Sequence, residues 1–225
     1  MKKPTFYTEI AYLLGLLLLA MGTAMMAAME LGISMVVAPA YILHLNLSQH
    51  LPFFSFGVAE YVLQALVLLL MMLVLRRVRL RYFLSLGTAV VYGFLLDAAM
   101  QLAIFLPVDT WLARMGLYSL GVLLCTAGIA LLFRSYLPPA AYELFVKEIS
   151  AKFGWQVSRV KLCYDCASCA IAAALSLILL GRLEAVGIGT VVCAVLYGPL
   201  IGLFDRLLGK TFDFKDKFTL KEETI

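Results

Sequence analysis

The sequence predicts an all-α membrane protein whose six transmembrane helices form two inverted three-helix repeats with re-entrant or interfacial segments. The prediction rests on composition, on the placement of basic residues and on an internal repeat. Of the 225 residues, 64% are hydrophobic and 14% are charged, and the mean hydropathy is +0.98. Soluble domains are roughly half apolar and a quarter charged. Because this chain has so little polar surface, its apolar residues need contact with lipid.

Six apolar runs are long enough to cross a hydrocarbon core of about 30 Å. We predict spans at residues 9–29, 53–75, 82–106, 111–133, 160–181 and 188–208. The first run could be a cleaved signal peptide, but the repeat described below makes it a retained helix. Residues 32–52 are apolar but too short and interrupted to cross. Residues 137–158 contain two early prolines and alternate apolar with charged side chains, which predicts an interfacial helix.

Lysine and arginine orient the chain, because they collect on the cytoplasmic side of membrane proteins. Only Arg114 and Arg182 lie on one side. The other side carries sixteen of the 18 basic residues, namely Lys2, Lys3, Arg76, Arg77, Arg79, Arg81, Arg134, Lys147, Lys152, Arg159, Lys161, Arg206, Lys210, Lys215, Lys217 and Lys221. We therefore expect a multi-pass protein of the bacterial cell (inner) membrane with both termini cytoplasmic. Topology explains the net charge of +4, so we expect no nucleic-acid partner.

An internal repeat relates the two halves of the chain. An offset of 106 residues matches Tyr12, Gly15 and Gly22 with Tyr118, Gly121 and Gly128, and an offset of 105 matches Glu60, Tyr92 and Gly93 with Asp165, Tyr197 and Gly198. Gly-Thr pairs at 87–88 and 189–190 break this register by three residues. We predict one membrane domain over 1–225, with repeats at 9–106 and 111–208 and a cytoplasmic tail at 209–225. Repeats with an odd number of spans insert in opposite orientations, a plan that recurs in secondary transporters.

Ionisable groups at membrane depth are costly, and they usually face a bundle interior or a cavity. We therefore predict a solute-binding site from the polar residues inside the spans, which are Glu60, Gln64, Asp97, Gln101 and Asp165. Gln64 and Gln101 each follow a carboxylate by four residues, a spacing that places both side chains on one helix face. We expect Glu60 and Asp97 to face a polar cavity between the two halves. The alternative is that these groups cap re-entrant segments or bond to neighbouring helices.

The cysteines and histidines predict no cofactor or metal. Cys163, Cys166 and Cys169 recur every three residues, and helical rotation turns the third away from the first, so one ion could hardly bind all three. We expect these residues to be small buried hydrophobes, with a thiol or metal role as the alternative. His44 and His50 are expected at the surface or at caps. The sequence contains no zinc-protease, nucleophile-elbow, Walker A or dinucleotide motif, and we expect no enzyme activity.

Several apolar, glycine-containing segments resemble a known family. Leu31 and Gly32 close the first span, residues 55–64 read SFGVAEYVLQ, residues 93–97 read GFLLD, and residues 186–202 include VGIGT and YGPLIG. On these segments the chain resembles the YczE/YyaS/YitT-type bacterial membrane proteins over nearly its whole length. The resemblance implies a six-span protein with a transport role. The stretch around Cys163, Cys166 and Cys169 departs from the family pattern, so no role carries over to it.

These observations predict a membrane permease or secondary transporter of a small solute. The two halves would move relative to each other around a site near Glu60 and Asp97. One alternative is a non-transporting membrane subunit that assists or regulates a partner protein, which needs only packing motifs and an interfacial helix. Another is a thiol or metal membrane enzyme that uses the cysteine run. The expected partners are the lipid bilayer, a small-molecule solute and a possible second copy of the chain.

Overall fold

The computed structural model describes residues 4–106, 110–138 and 140–216, and these residues form mainly helices. The elements in chain order are β1 (Thr5–Tyr7), α1 (Thr8–Met29), α2 (Ala38–Leu47), α3 (Phe56–Leu75), α4 (Leu80–Ala103), α5 (Trp111–Phe133), α6 (Ala141–Phe153), α7 (Val157–Leu180), α8 (Ile188–Thr211) and β2 (Asp213–Lys215). Pro139, Lys2, Lys3, Lys217 and Lys221, on which parts of the sequence interpretation rest, lie outside the described residues.

Six helices are long and apolar enough to cross a membrane, which confirms the six predicted spans and indicates a multi-pass membrane protein. They are α1, α3, α4, α5, α7 and α8. Two of them begin at side-chain caps, because Ser55 accepts a hydrogen bond from the Val58 amide and Thr110 accepts one from the Ala113 amide. α2 and α6 have 10 and 13 residues, so at 1.5 Å per residue neither is long enough to cross.

Glycines bring α1 and α5 into backbone contact at the centre of the bundle. A Cβ atom on Gly15 would lie 2.9 Å from the carbonyl oxygen of Gly128, and one on Gly22 would lie 2.6 Å from that of Gly121. Residue numbers rise along α1 as they fall along α5, so the two helices are antiparallel. Small residues permit this approach where larger side chains would separate the helices. α1 is accordingly the most buried span, with 56% of its apolar window enclosed by protein.

The other spans pack around this central pair unequally. α3 packs against α4 at Gly57 and Gly93, and a Cβ atom on Gly57 would lie 2.0 Å from the Gly93 carbonyl oxygen. α4 also packs against α1, and α8 packs against α5. Along the described chain, α7 and α8 make no comparable extended contact with each other. Only 17% of each of these two spans is covered by protein.

The short helices α2 and α6 fill the space beside α7 and α3. α6 packs against α3 and α7, and α2 packs against α7 and α3. Near the end of α6, Lys152 donates a hydrogen bond to the Val74 carbonyl oxygen in the last turn of α3. In the corresponding place, Asn46 of α2 donates to the Leu179 carbonyl oxygen in the last turn of α7, at 3.3 Å. Each short helix therefore ends beside the end of a long one.

A two-stranded parallel sheet joins the two ends of the described chain, and the sequence analysis missed it. Residues of β1 pair with residues of β2, and Thr8 donates a 2.7 Å hydrogen bond to Asp216. Both ends therefore lie at the same end of the bundle, here called the strand end. The predicted tail from residue 209 is not wholly separate from the bundle, because α8 continues to Thr211 and β2 follows it.

Candidate functional site

A buried polar cluster lies where α6 begins against the second and third turns of α3. Glu60 and Gln64 stand one turn apart on α3, and each is only 1% exposed. Gln64 Nε2 donates to Glu60 Oε1 at 3.2 Å, and the Tyr142 hydroxyl of α6 donates to the same oxygen at 3.0 Å. Gln64 Oε1 accepts the backbone N–H of Ala141 at 3.3 Å. This last contact satisfies one of the free amides at the start of α6.

Two carboxylate oxygens in this cluster lack a hydrogen-bond partner. They are Glu60 Oε2 and Glu143 Oε2, and both are enclosed by protein. Buried polar groups are normally hydrogen-bonded, because leaving one unpaired costs about 1–3 kcal/mol. Burial raises the pKa of Glu143, and Lys161 opposes this shift. The cluster can therefore accept further hydrogen bonds or a positive charge at two positions.

Aromatic residues from three helices enclose the cluster. Tyr92 of α4 is buried and donates to the Thr23 hydroxyl of α1 at 3.1 Å. The rings of Tyr142 and Tyr164, on α6 and α7, lie 6.2 Å apart. Burial, followed by the nearby Glu60 charge, raises the pKa of Tyr142, so this phenol stays protonated and can act as a donor. The site is thus walled by α3, α4, α6 and α7.

Asp97 makes its hydrogen bonds at a different place, the start of α3. It accepts a hydrogen bond from the Ser55 hydroxyl at 2.6 Å and another from the Gly57 amide at 2.7 Å. These contacts hold α4 against the N-terminus of α3, where a carboxylate is electrostatically favoured. Gln101, one turn further along α4, is exposed. Among the hydrogen bonds of the described residues, none joins Asp97 or Gln101 to Glu60, and the Asp97 contacts fit the alternative of a bond to a neighbouring helix.

Asp165 lies near the strand end of α7. It pairs with Lys161 one turn earlier at 3.3 Å, and its side chain is 17% exposed. Asp165 also interacts electrostatically with Glu143, which links it to the buried cluster through α6. Of the five predicted site residues, the structure thus joins Glu60 and Gln64 directly and places Asp165 next to their neighbour.

The expectation that all three cysteines of the α7 run are buried is wrong for two of them. Cys163 and Cys166 are exposed and Cys169 is half-buried, in keeping with the small share of α7 that the described protein covers. Within 4–106, 110–138 and 140–216, no group of three or more His, Cys, Asp or Glu side chains could hold a metal ion. The His44 Nδ1 atom lies within hydrogen-bond distance, 2.9 Å, of the Phe54 carbonyl oxygen, a contact consistent with a capping role.

Comparison with known proteins identifies the family. A family model described as "Family of unknown function (DUF6198)" matches residues 6–206. The chain belongs to the DUF6198 family. Among curated proteins and among solved structures, no match to the chain was found.

In this DUF6198 protein, sequence reasoning missed the contribution of Tyr142 and Glu143. The alternation of apolar and charged side chains over residues 137–158 predicts an interfacial helix with Glu143 on its polar face. The structure instead buries Ala141, Tyr142 and Leu144 at the first turn of α6, and Glu143 is half-buried with its Oε2 atom enclosed. The sequence does carry a signal for this arrangement, because the first turn of α6 contains one acidic residue among apolar ones and the lysines come later in the helix.

Proposed function

We propose that this DUF6198 protein is a permease or secondary transporter of a small solute, with a site around Glu60, Gln64, Tyr142 and Glu143. One observation carries the proposal: Glu60 is 1% exposed inside a span, yet its Oε2 atom has no partner. A carboxylate held this way is unfavourable unless it takes up a ligand or a proton. Asp97 and Gln101 are not part of this proposed cluster, since Asp97 is hydrogen-bonded at the start of α3 and Gln101 is exposed, whereas Asp165 interacts with Glu143.

The proposed architecture is a pair of inverted repeats, and matched contacts support it. An offset of 106 residues maps the Gly15–Gly128 contact onto the Gly121–Gly22 contact. Offsets of 106 and 105 map the Tyr12–Thr88 hydrogen bond onto the contact of Tyr118 with Cys193. The same offsets map Asn46–Leu179 onto Lys152–Val74. In this arrangement α2 and α6 are equivalent re-entrant helices, one in each half.

The proposed movement involves the gap between α7 and α8. In the first half, Gly57 and Gly93 bring α3 and α4 together. In the second half, the equivalent of Gly93 is Gly198, and a Cβ atom there would meet nothing within 4 Å. The two halves therefore differ at one seam, the interface between α3 and α4 in the first half and between α7 and α8 in the second, whereas the three pairs of contacts given above correspond. In a protein with inverted repeats, alternating access can result when the α3–α4 interface opens as the α7–α8 interface closes.

The uncovered faces of α7 and α8 favour a second candidate function, a membrane subunit that assists a partner. Gly198 and Gly202 stand four residues apart on α8, and the space beside both is open. Small residues at this spacing are typical of helix–helix contacts in membranes. If a partner helix packs there, cysteine cross-linking from the exposed Cys166 should capture it, and Gly202→Leu should abolish the cross-link without changing any solute uptake.

We propose a bacterial inner-membrane location with both termini in the cytoplasm, and the resemblance to YczE/YyaS/YitT-type proteins agrees with this. The pairing of β1 with β2 supports an even number of spans. Reporter fusions after residues 109 and 184 should report the outside, and a fusion at residue 225 should report the inside. A reporter at residue 225 that lies outside would reverse the proposed orientation.

The test of transport begins with solute binding. Purified protein in detergent would be screened against small solutes of distinct charge classes, because a ligand that binds the folded state raises its melting temperature. We expect a solute that binds to raise the melting temperature of the wild-type protein but not that of Glu60→Gln. The same solute should enter vesicles that contain the wild-type protein and should not enter vesicles that contain Glu60→Gln. The matched control is Glu30→Gln, since the Glu30 side chain is 78% exposed. Equal binding and uptake by Glu60→Gln would overturn the proposed site.

A further inference from the structure

Two carboxylates with enclosed, unpartnered oxygens lie on α3 and α6, which pack against each other. Glu60 Oε2 and Glu143 Oε2 are both enclosed and both without a hydrogen-bond partner. The two groups interact electrostatically. Glu60 has only one of its oxygens satisfied, by Gln64 and Tyr142. Two negative charges at this position would repel each other in a medium of low dielectric, so the arrangement favours one positive charge between them.

We propose that Glu60 and Glu143 form a proton site, and that the ion coupled to transport in this protein is therefore H⁺. The proposal deepens the proposed transport function and rests on it, because only a transporter couples an ion to a solute. The proton site itself can be tested without any solute. A proton needs one acceptor oxygen and no cavity. Metal cations need more, since Ca²⁺ takes 6–8 oxygen ligands, whereas the cluster offers two unpartnered carboxylate oxygens.

The charged and titratable groups around the pair indicate where a proton would enter. Tyr142 of α6 donates to Glu60 at 3.0 Å, and its ring lies 6.2 Å from that of Tyr164 of α7. Tyr164 and Tyr92 of α4 interact with Glu60 electrostatically. Glu143 additionally faces Lys147 of α6 and Lys161 and Asp165 of α7. Of these, Lys161 and Asp165 form an ion pair near the strand end, where the Lys161 side chain is 47% exposed.

This series defines a route from the buried site to the strand end. A proton leaves Glu60 as its O–H bond breaks and an O–H bond forms on the Glu143 carboxylate. It then passes to the Asp165 carboxylate and from there to water, so that each donor returns to its anionic form. Glu143 is the positioned relay, because α6 places it between the span that carries Glu60 and the span that carries Asp165. The route ends on the side where the protein's two described termini meet.

The test uses dicyclohexylcarbodiimide, which reacts with protonated carboxyl groups in apolar surroundings. Full-length protein in detergent would be labelled across a pH series, and the modified residues would be identified by mass spectrometry. We expect label on Glu60 that decreases as pH rises. In Glu143→Gln the repelling neighbour is neutral, so the labelling curve of Glu60 should move to lower pH by on the order of one unit. Glu148→Gln, on the same helix but paired with Arg79, should leave the curve in place.

Three outcomes would overturn the proton site. Glu60 could remain unlabelled at every pH, its labelling curve could be identical in the wild-type protein and in Glu143→Gln, or sodium chloride could protect it where choline chloride does not. The last outcome would make Na⁺ the ion bound. The wild-type series needs no variant, so it is informative even if Glu143→Gln folds poorly. A failed solute screen with normal labelling would remove the transport proposal and leave the proton site standing.

Discussion

Tyr142 donates a 3.0 Å hydrogen bond to Glu60, and this contact joins residues 82 positions apart in the chain. It connects the first turn of α6 to the second turn of α3. Both residues are buried, so water cannot replace either partner. The contact therefore helps to fix the position of α6 along α3. It also orients the Glu60 carboxylate so that its other oxygen, Oε2, is left without a hydrogen-bond partner.

Tyr142→Phe should destabilise the protein and alter solute binding. The change removes the hydroxyl that donates to Glu60 Oε1 and leaves Gln64 as the remaining donor. Loss of a buried hydrogen bond to a polar group costs about 1–3 kcal/mol. We expect a lower melting temperature in detergent and weaker binding of any solute found in the screen.

The matched control for this change is Tyr136→Phe. Tyr136 donates to Glu9 at 3.3 Å near the strand end and is less buried. It should lower the melting temperature less and leave solute binding unchanged. If both variants behave alike, the Tyr142 hydroxyl has no special role in the cluster.

Gly57→Ala and Gly198→Ala should differ sharply in stability. A Cβ atom on Gly57 would lie 2.0 Å from the Gly93 carbonyl oxygen, so α3 and α4 must separate. Overpacking of this kind costs about 1–3 kcal/mol. A Cβ atom on Gly198 meets nothing within 4 Å, and alanine favours the helix. Thermal unfolding in detergent should show a clear loss for the first variant and none for the second.

A larger residue at Gly198 tests the proposed movement. Because the space beside it is open, Gly198→Leu should fold normally. If α7 and α8 approach each other during transport, the leucine should reduce uptake without reducing the melting temperature. Unchanged uptake by a stable Gly198→Leu protein would argue that this seam stays open.

The six spans could be predicted because length and hydropathy are local properties. Each predicted span overlaps an observed helix, and every bound agrees within three residues. The glycines of α1 and α5 were visible as a repeat, and the structure places them in contact. The pairing of β1 with β2 could not be predicted from local properties. Strands of three residues show no periodic pattern, and these two lie near opposite ends of the sequence.

The site was only half predictable for a different reason. Glu60 and Gln64 share one helix face, so their hydrogen bond follows from spacing alone. The partners of Glu60 on α6 depend on how a short helix packs, which the sequence does not specify. Similar depth in the membrane predicts that Asp97 lies beside Glu60. In the structure Asp97 instead accepts a hydrogen bond from the Gly57 amide, one of the free amides at the start of α3.

Asp97→Asn should weaken the start of α3 rather than remove a binding group. Asp97 accepts from Ser55 and from the Gly57 amide, and a neutral amide makes weaker bonds at a helix N-terminus. We expect a lower melting temperature and unchanged solute affinity, measured by thermal shift. Gln101→Ala, at an exposed position one turn away, should change neither. A large loss of affinity in a stable Asp97→Asn protein would instead restore Asp97 to the binding site.

Glu143 should make stability depend on pH. Burial raises the pKa of Glu143 above its ordinary value of 4.5, with Lys161 opposing. The folded protein then holds a proton that the unfolded chain releases, so this stabilisation is complete below about pH 4.5 and is lost as pH rises through the folded pKa. Melting temperatures of the wild-type protein should therefore fall relative to those of Glu143→Gln as pH increases over that window. Glu148→Gln serves as the reference, because Glu148 is paired with Arg79 and should not show this trend. A constant difference between wild type and Glu143→Gln across the window would contradict this prediction, because Glu143 would then titrate alike in the folded and the unfolded protein.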